Sequence, residues 1–389
     1  MPKVLTRYIL RELVLSFSLA ILVLTLTFLL GRSMTIARLV LEYGLGMGFA
    51  ISFVAYILPS FLIYTLPASL LVAVLTTFTR MSFDNEIIAM KSSGISLWKI
   101  ARAVFLFALL VYAVTTVVHL YLYPWGNNNL RRLAYELTTK KTTKALKEKK
   151  FYNRFKDMVL YVDHIPAGKP KLMGVFLMER EPDGAHLVVV AKEGRFLHIE
   201  EEMKLLFELK DGSIHRATAE GGYNMARFST YTIELELKEA IIKRERKGKE
   251  FYPWELFETI QKKREKGEPT VKLEIEFHRM FSLPASVFIF ALIGLPLGIQ
   301  RVRSARFTGF GISIGVLVVY YLLVKVFEAG ALTGKIPPVV ALWGANVVLG
   351  GLGMWAFVRA AKERPVGVVP AIEGAIFGLW ERMSKLVRI

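Results

Sequence analysis

The sequence predicts an α-helical membrane protein with six transmembrane helices and a β domain inserted between the third and the fourth. Three observations predict it. Apolar residues come in six runs without charge, and about 20 residues in a helix are enough to cross a bilayer. Residues 124–279 divide those runs three and three, and there polar and apolar residues alternate with a period of two. Lysine and arginine also collect in alternate connections, the bias that sets the orientation of membrane helices. The 53% hydrophobic content of the 389 residues fits the same class.

The runs are 13–30, a long one ending near Thr79, 103–123, 280–300, 307–324 and 336–358. In lipid every backbone polar group must be satisfied internally, so each predicts a helix. No charge falls between Glu42 and Arg80, a stretch of 37 residues that would reach about 55 Å as one helix. Gly44, Gly46 and Gly48 precede it, and Pro59 and Pro67 interrupt it. The expectation is an irregular or interfacial approach and then one kinked span from about Ser52, with a re-entrant segment as the alternative. The first run is too long for a signal peptide, and no small-residue cleavage site follows it.

The net charge of +18 is not spread evenly. Residues 124–279 hold 31 lysines and arginines against 25 acids, and the rest of the chain holds 20 against 8. The excess therefore flanks the spans, which argues for a membrane rather than a nucleic acid. Sixteen basic residues lie on one side: Lys3, Arg7, Arg11, Arg80, Lys91, Lys99, Arg102, Arg301, Arg303, Arg306, Arg359, Lys362, Arg364, Arg382, Lys385 and Arg388. Four lie in the short connections of the other: Arg32, Arg38, Lys325 and Lys335. Both termini are expected in the cytoplasm and the 124–279 domain outside it. Cysteine is absent, so disulfides, thiolate metal sites and cysteine nucleophiles are excluded.

Within the inserted domain, Thr230 to Lys238 alternates polar and apolar without a break, as a strand with one buried face does. Further strands are expected at 158–162, 174–178, 187–192 and 204–210, with Asp211-Gly212 as a hairpin turn. A small antiparallel sandwich or jelly roll fits this pattern. Helical patterns bracket it at 127–150 and from Pro253 to Lys266, where a proline suits the first helical turn. The domains expected are thus 1–123, 124–279 and 280–389.

Between the second and third spans, 80–100 contains a short helix of about ten residues. Ser82 or Asp84 suits its start and Gly94 its end, and Ile87, Met90 and Phe83 share a face. It is either a linker on the membrane surface or a helix that docks another protein. The pairs Gly294/Gly298 and Gly311/Gly315 have the spacing that lets helices approach closely, most simply inside the chain. His119 lies within the third span, as a core histidine or a functional one. The lysines from Lys140 to Lys150 are a solvated face or an attraction for anionic lipid. No phosphate loop, zinc-protease motif, nucleophile elbow or pair of intramembrane carboxylates is visible in the sequence. Any work the protein does must draw energy from a partner. The alternatives are an anchored receptor or assembly scaffold, which needs no cytoplasmic docking helix, and a lipid-modifying enzyme, which needs clustered catalytic groups.

Several segments in order resemble the LptF/LptG family, permease subunits of the lipopolysaccharide-export ABC transporter. They are Arg7-Tyr8-x-x-Arg11-Glu12, Leu66-Pro67-x-Ser69-Leu70, and Asp84-Asn85-Glu86-Ile87-x-x-Met90-x-x-Ser93-Gly94-Ile95-Ser96. Pro124-Trp125, Val159 to Val162, Trp343 and Asn346 add to them. The opening motif is closer to the F-type subunit.

The resemblance implies a permease without catalysis or cofactor of its own, in the inner membrane with its large domain in the periplasm. It implies a second permease of the family, a cytoplasmic ATPase dimer that binds the ATP and magnesium, and a periplasmic bridge of jelly-roll proteins. Lipopolysaccharide would enter sideways from the outer leaflet and pass to the β domain. Asp84, Glu86, Ile87, Met90 and Gly94 would form the coupling helix to the ATPase. Arg32, and less securely Lys335, match positions where basic residues meet lipid A phosphates. The orientation has a direct check. A cysteine at Ser213 should react with an impermeant thiol reagent on spheroplasts, and one at Ser384 should not; the reverse result overturns the topology.

Overall fold

The computed structural model describes residues 3–43, 47–144, 148–155, 158–166, 171–180, 186–199, 204–217, 222–234, 246–300 and 305–364. The chain forms two compact units, Met1–Asn127 with Lys247–Ile389, and Asn128–Arg246. Of the basic residues counted above, Arg301, Arg303, Arg382, Lys385 and Arg388 lie outside the described residues, as do the side chains of Arg38 and of Lys140 to Lys147.

The first unit is helical. Its helices are α1 (Lys3–Tyr43), α2 (Met47–Phe83), α3 (Glu86–Ser92), α4 (Leu97–Val117), α5 (Tyr123–Lys144, which runs past Asn127), α6 (Pro253–Glu265), α7 (Val271–Gly298), α8 (Ala305–Leu332) and α9 (Pro338–Ala361). Among the described residues, six helices are long and apolar enough to cross a membrane: α1, α2, α4 with its continuation to Ala134, α7, α8 and α9. Helix α2 is continuous from Met47 through Pro59 and Pro67, so neither the irregular approach nor the re-entrant alternative forms over that stretch. Both prolines are buried, where packed neighbours make up for the lost backbone donors. Between α4 and α5 the residues Val118–Leu122 form a π turn that carries the fully buried His119.

Helices α2 and α7 are buried along most of their length, whereas α1 and α8 expose most of theirs. The α2–α7 contact is made by missing side chains. A Cβ at Gly294 would stand 3.0 Å from Val74 Cγ1, and one at Gly298 only 2.9 Å from Phe78 Cβ. Gly309, at the start of α8, sits as closely on Leu75 and Thr79. Gly311 and Gly315, by contrast, face open space within this chain, so only the first expected glycine pair packs helices here. Asn346 of α9 donates a hydrogen bond of 2.7 Å to the carbonyl of Ser282 on α7, a polar tie of the kind bundles in lipid use.

The second unit carries β1 (Lys150–Phe155), β2 (Met158–His164), β3 (Leu172–Arg180), β4 (His186–Ile199), β5 (Lys204–Ala217) and β6 (Tyr223–Glu234). Each pairs antiparallel with the next in sequence, so the sheet is a meander. Residues 235–238 of the expected last strand lie outside the described residues. The core is Leu160, Val162, Val175, Leu177, Val189, Ala191, Phe207, Leu209 and Ile233.

Asp211-Gly212 is not the hairpin turn expected. It lies in the middle of β5, and the ladder continues in unchanged register on both sides. Asp211 does take the left-handed conformation, with φ 52°. What reverses there is the face. The core-facing series changes parity from Val189 and Ala191 to Gly194 and Phe196 in β4. It changes from Phe207 and Leu209 to Gly212 and Ile214 in β5, and from Phe228 to Tyr231 and Ile233 in β6. The residues at the change, Lys192, Asp211 and Ser229, are the ones that skip the ladder, so a fold line crosses three strands at one level. Bends of this kind let a single sheet wrap around its own core. Ser213 beside the line is half-buried and hydrogen-bonded to His215, so Tyr223, 64% exposed, is the more accessible labelling position on this sheet.

The glycine contacts are tested by paired substitutions. Gly298→Ala drives a methyl group into the backbone side of Phe78, an overpacking that costs about 1–3 kcal/mol. It should lower the apparent melting temperature of the detergent-solubilised protein, read by size exclusion after heating. Gly311→Ala should leave that temperature unchanged or slightly raised, because nothing meets its Cβ and alanine favours helix. Equal losses from both would contradict the packing described.

Candidate functional site

Helix α3 is only seven residues long, too short to be stable by propensity alone, so its position depends on what holds it. Its start is at Asn85, which takes a left-handed conformation with φ 61° and makes no side-chain cap. Asparagine tolerates that conformation better than most residues. Neither expected cap acts: the Ser82 hydroxyl instead donates to the carbonyl of Ile299 beyond α7, at 3.0 Å, and Asp84 is exposed. Gly94 closes the helix with φ 76°, and the amides of Gly94 and Ile95 return to the carbonyls of Lys91 and Met90.

Ile87 and Met90 are buried in the same cluster as Ile9 and Leu13 of α1, Phe78 and Met81 of α2, and Leu97 and Ile100 of α4. They hold α3 on the bundle, so their side chains face the chain's own core. Phe83, expected on the same face, is instead 53% exposed, because α2 still carries it and the chain turns after it. The outward surface is formed by Phe83, Asp84, Ile88, Ala89 and Ser92.

Glu86 stands between these surfaces, half-buried. The Tyr8 hydroxyl reaches both its carboxylate oxygens, at 3.1 and 2.9 Å. One turn further along α1, Glu12 accepts a hydrogen bond of 2.6 Å from Arg80 Nη2 at the end of α2. Lys91 lies 3.5 Å from Glu363, just past α9. The loop is therefore tied to α1, α2, α9 and the segment after α7. The ties to Tyr8 and Glu12 were not read from the sequence, although Tyr8 and Glu12 are four residues apart and so share a helix face.

Arg32 and Lys335 fall in different connections. Arg32 is exposed on α1, which continues as helix to Tyr43 rather than ending before it. Lys335 is exposed in the turn between α8 and α9, after Gly334 with φ 74°. Lys325 is instead paired with Glu328, at 2.8 Å.

Charge does lie inside the candidate spans. Arg279 of α7 is 2.7 Å from Glu276, and its Nη2 is 2.7 Å from Glu328 of α8, an ion pair off the hydrogen-bond direction. Both glutamates lie beyond the charge-free runs, in the parts of α7 and α8 that extend past them. The helices extend past those limits and enclose Glu276 and Glu328 on one arginine. His119 has no partner for either ring nitrogen and meets Tyr123 edge-on at 5.3 Å. The two glutamates are thus held by one arginine, and His119 makes no side-chain hydrogen bond among the described residues.

The family model for the lipopolysaccharide export system permease LptF/LptG matches residues 7–359. Among curated proteins, the chain is 22% identical to the lipopolysaccharide export system permease protein LptF of Escherichia coli (strain K12) and to that of Shigella flexneri. In each case the match spans 354 residues, 89% of this chain and 92% of the relative.

Proposed function

We infer a transport function for this chain, which belongs to the LptF/LptG family of lipopolysaccharide export permeases. In this reading it is one transmembrane subunit of an ABC transporter, set in the inner membrane with both termini in the cytoplasm. It pairs with a second permease of the family and with a cytoplasmic ATPase dimer that binds ATP and magnesium. The two permeases enclose a cavity that lipopolysaccharide enters from the outer leaflet. Closure of the ATPase dimer drives the lipid onto the β domain, a jelly roll in the periplasm. From there it passes to a bridge of similar domains.

One observation carries this reading beyond family membership. Helix α3 is anchored inward by Ile87 and Met90 and leaves Asp84, Ile88 and Ala89 uncovered, as a docking element needs. Gly94 ends it sharply, so that the uncovered turn projects. Glu86, in its first turn, is the charged group for an ATPase contact. Arg32 supports the substrate side: it is exposed on α1 two residues past the apolar run, which in this reading puts it at headgroup depth, where a guanidinium offers a phosphate a bidentate partner. Lys335 adds a second cation in the turn after α8.

Two experiments test the two ends. Purified from membranes, the wild type should carry a stoichiometric ATPase subunit, and Glu86→Lys should lose it while still inserting, since a like-charge contact at an interface costs several kcal/mol. Full recruitment and ATP-driven export by that variant would leave α3 a linker. A photo-crosslinker at position 32 should capture lipopolysaccharide without ATP. Arg32→Glu should weaken lipid binding more than Arg38→Glu, and equal binding by wild type and Arg32→Glu would make Arg32 a membrane anchor.

A further inference from the structure

The opening motif Arg7-Tyr8-x-x-Arg11-Glu12 has no assigned role, yet the structure divides it cleanly. Arg7 and Arg11 are exposed, on a face of α1 that also carries the exposed Lys3 and Val14. Tyr8 and Glu12, one residue on in each case, turn the other way. Tyr8 donates to Glu86 of α3, Glu12 accepts from Arg80 of α2, and Ser16, a further turn along, accepts 3.0 Å from the Thr77 hydroxyl. Residues 8, 12 and 16 form one stripe along α1. The buried Ile9 and Leu13 run beside it, in the cluster that holds Ile87 and Met90. For a helix that exposes most of its surface within the chain, this is a concentrated attachment, and it lies at the end nearest α3.

We propose that Tyr8 is a positioning residue for Glu86, and that Tyr8–Glu86 with Glu12–Arg80 bolts α1 to the coupling helix, so that displacement of α3 is carried into the first span. The inference rests on the transport reading given above, with α3 as the element that meets the ATPase.

Three physical points support it. The Tyr8 hydroxyl is neutral, so it orients the carboxylate without cancelling its charge, and Glu86 remains able to meet a cationic group. The hydroxyl's single proton is shared between both oxygens, which holds the carboxylate close to α1. Finally, α1 is unbroken from Lys3 to Tyr43, so Tyr8 and Arg32 are separated by about 36 Å of a single helix. A rigid element of that length moves at one end when pushed at the other. The contacts at its start therefore join the nucleotide-driven face of the protein to the cation proposed to meet lipid phosphate. An exposed ion pair such as Glu12–Arg80 adds little stability by itself, so its value lies in fixing register between α1 and α2.

The test uses the assembled transporter in proteoliposomes with purified lipopolysaccharide, and compares lipid exported per ATP hydrolysed. Tyr8→Phe should keep its ATPase subunit and its melting temperature but lose about tenfold in lipid per ATP, the scale of one hydrogen bond to a charged group. Tyr8→Phe added to Glu86→Ala should cause no loss beyond that of Glu86→Ala alone, because alanine leaves the Tyr8 hydroxyl no acceptor and both changes remove the same contact. Glu12→Arg and Arg80→Glu should each lower lipid per ATP, and the two together should restore it. A merely structural tyrosine would lower stability and not this ratio. The bolt is overturned if Tyr8→Phe exports as the wild type does, if its loss adds to that of Glu86→Ala, or if the charge swap fails to rescue. Should Tyr8→Phe not fold, the swap alone decides. Failure of the transport reading would look different: the wild type itself would carry no ATPase subunit and export nothing with ATP.

Discussion

The close approach of α7 to α2 is the contact to which the rest of the membrane unit is fitted. Helices in lipid gain nothing from leaving water, so their attraction rests on packing at short range and on a few hydrogen bonds. Gly294 and Gly298 bring the backbone of α7 against Val74 and Phe78, and Gly309 brings α8 against Leu75 and Thr79. One stretch of α2, residues 74–79, thus receives two helices. The same dense surroundings let α2 carry two buried prolines without breaking.

Around this centre the looser spans are held by polar contacts. Helices α1 and α8 both expose most of their surface within the chain. The ties of α1 are Tyr8 to Glu86, Glu12 to Arg80, Ser16 to Thr77 and, further along, Thr25 to Thr65. Helix α8 is tied by Glu328 to Arg279 of α7, with Lys325 outside it, and by the Tyr321 hydroxyl to the carbonyl of Tyr64 on α2. Apolar packing makes the centre dense, and directional contacts set where the outer helices stand against it. Contacts of that kind specify a position more than they add stability.

Much of this was legible in the sequence, and the gaps have physical causes. Charge-free runs mark the spans because a bilayer tolerates little else, but they do not mark helix ends, so α1 was ended too early and Arg279 and Glu328 were left outside. Strict alternation marked the end of β6, and short apolar runs marked parts of β2 to β5, whereas β1, short and rich in charge, gave no signal. Asp211-Gly212 does mark a special backbone position, with φ 52° at Asp211, but not the hairpin turn expected there. The error was to take it for a reversal, since only long-range pairing tells a turn from a bend within a strand. Ser82 looked like a helix cap because its residue type suits one, and lost that role to a carbonyl more than 200 residues away. Gly311 and Gly315 share the spacing of Gly294 and Gly298, but spacing does not say which face meets a neighbour. At the candidate site the short helix and Glu86 were visible as a segment, while Tyr8 and Glu12 were visible only as an unexplained motif.

The order of strands in the sheet bears on how the protein is made. Every described strand pairs with its neighbour in sequence, so each hairpin closes a short loop and none waits for a distant segment. Loop closure over short separations is fast and costs little entropy. This sheet is synthesised after α4 and before α7, while half of the membrane helices do not yet exist. A meander can fold hairpin by hairpin as it emerges, and so reduces the time that apolar strands such as β4 stand exposed beside unfinished spans. A sheet that paired its first strand with its last would stay open until its final residues had been made.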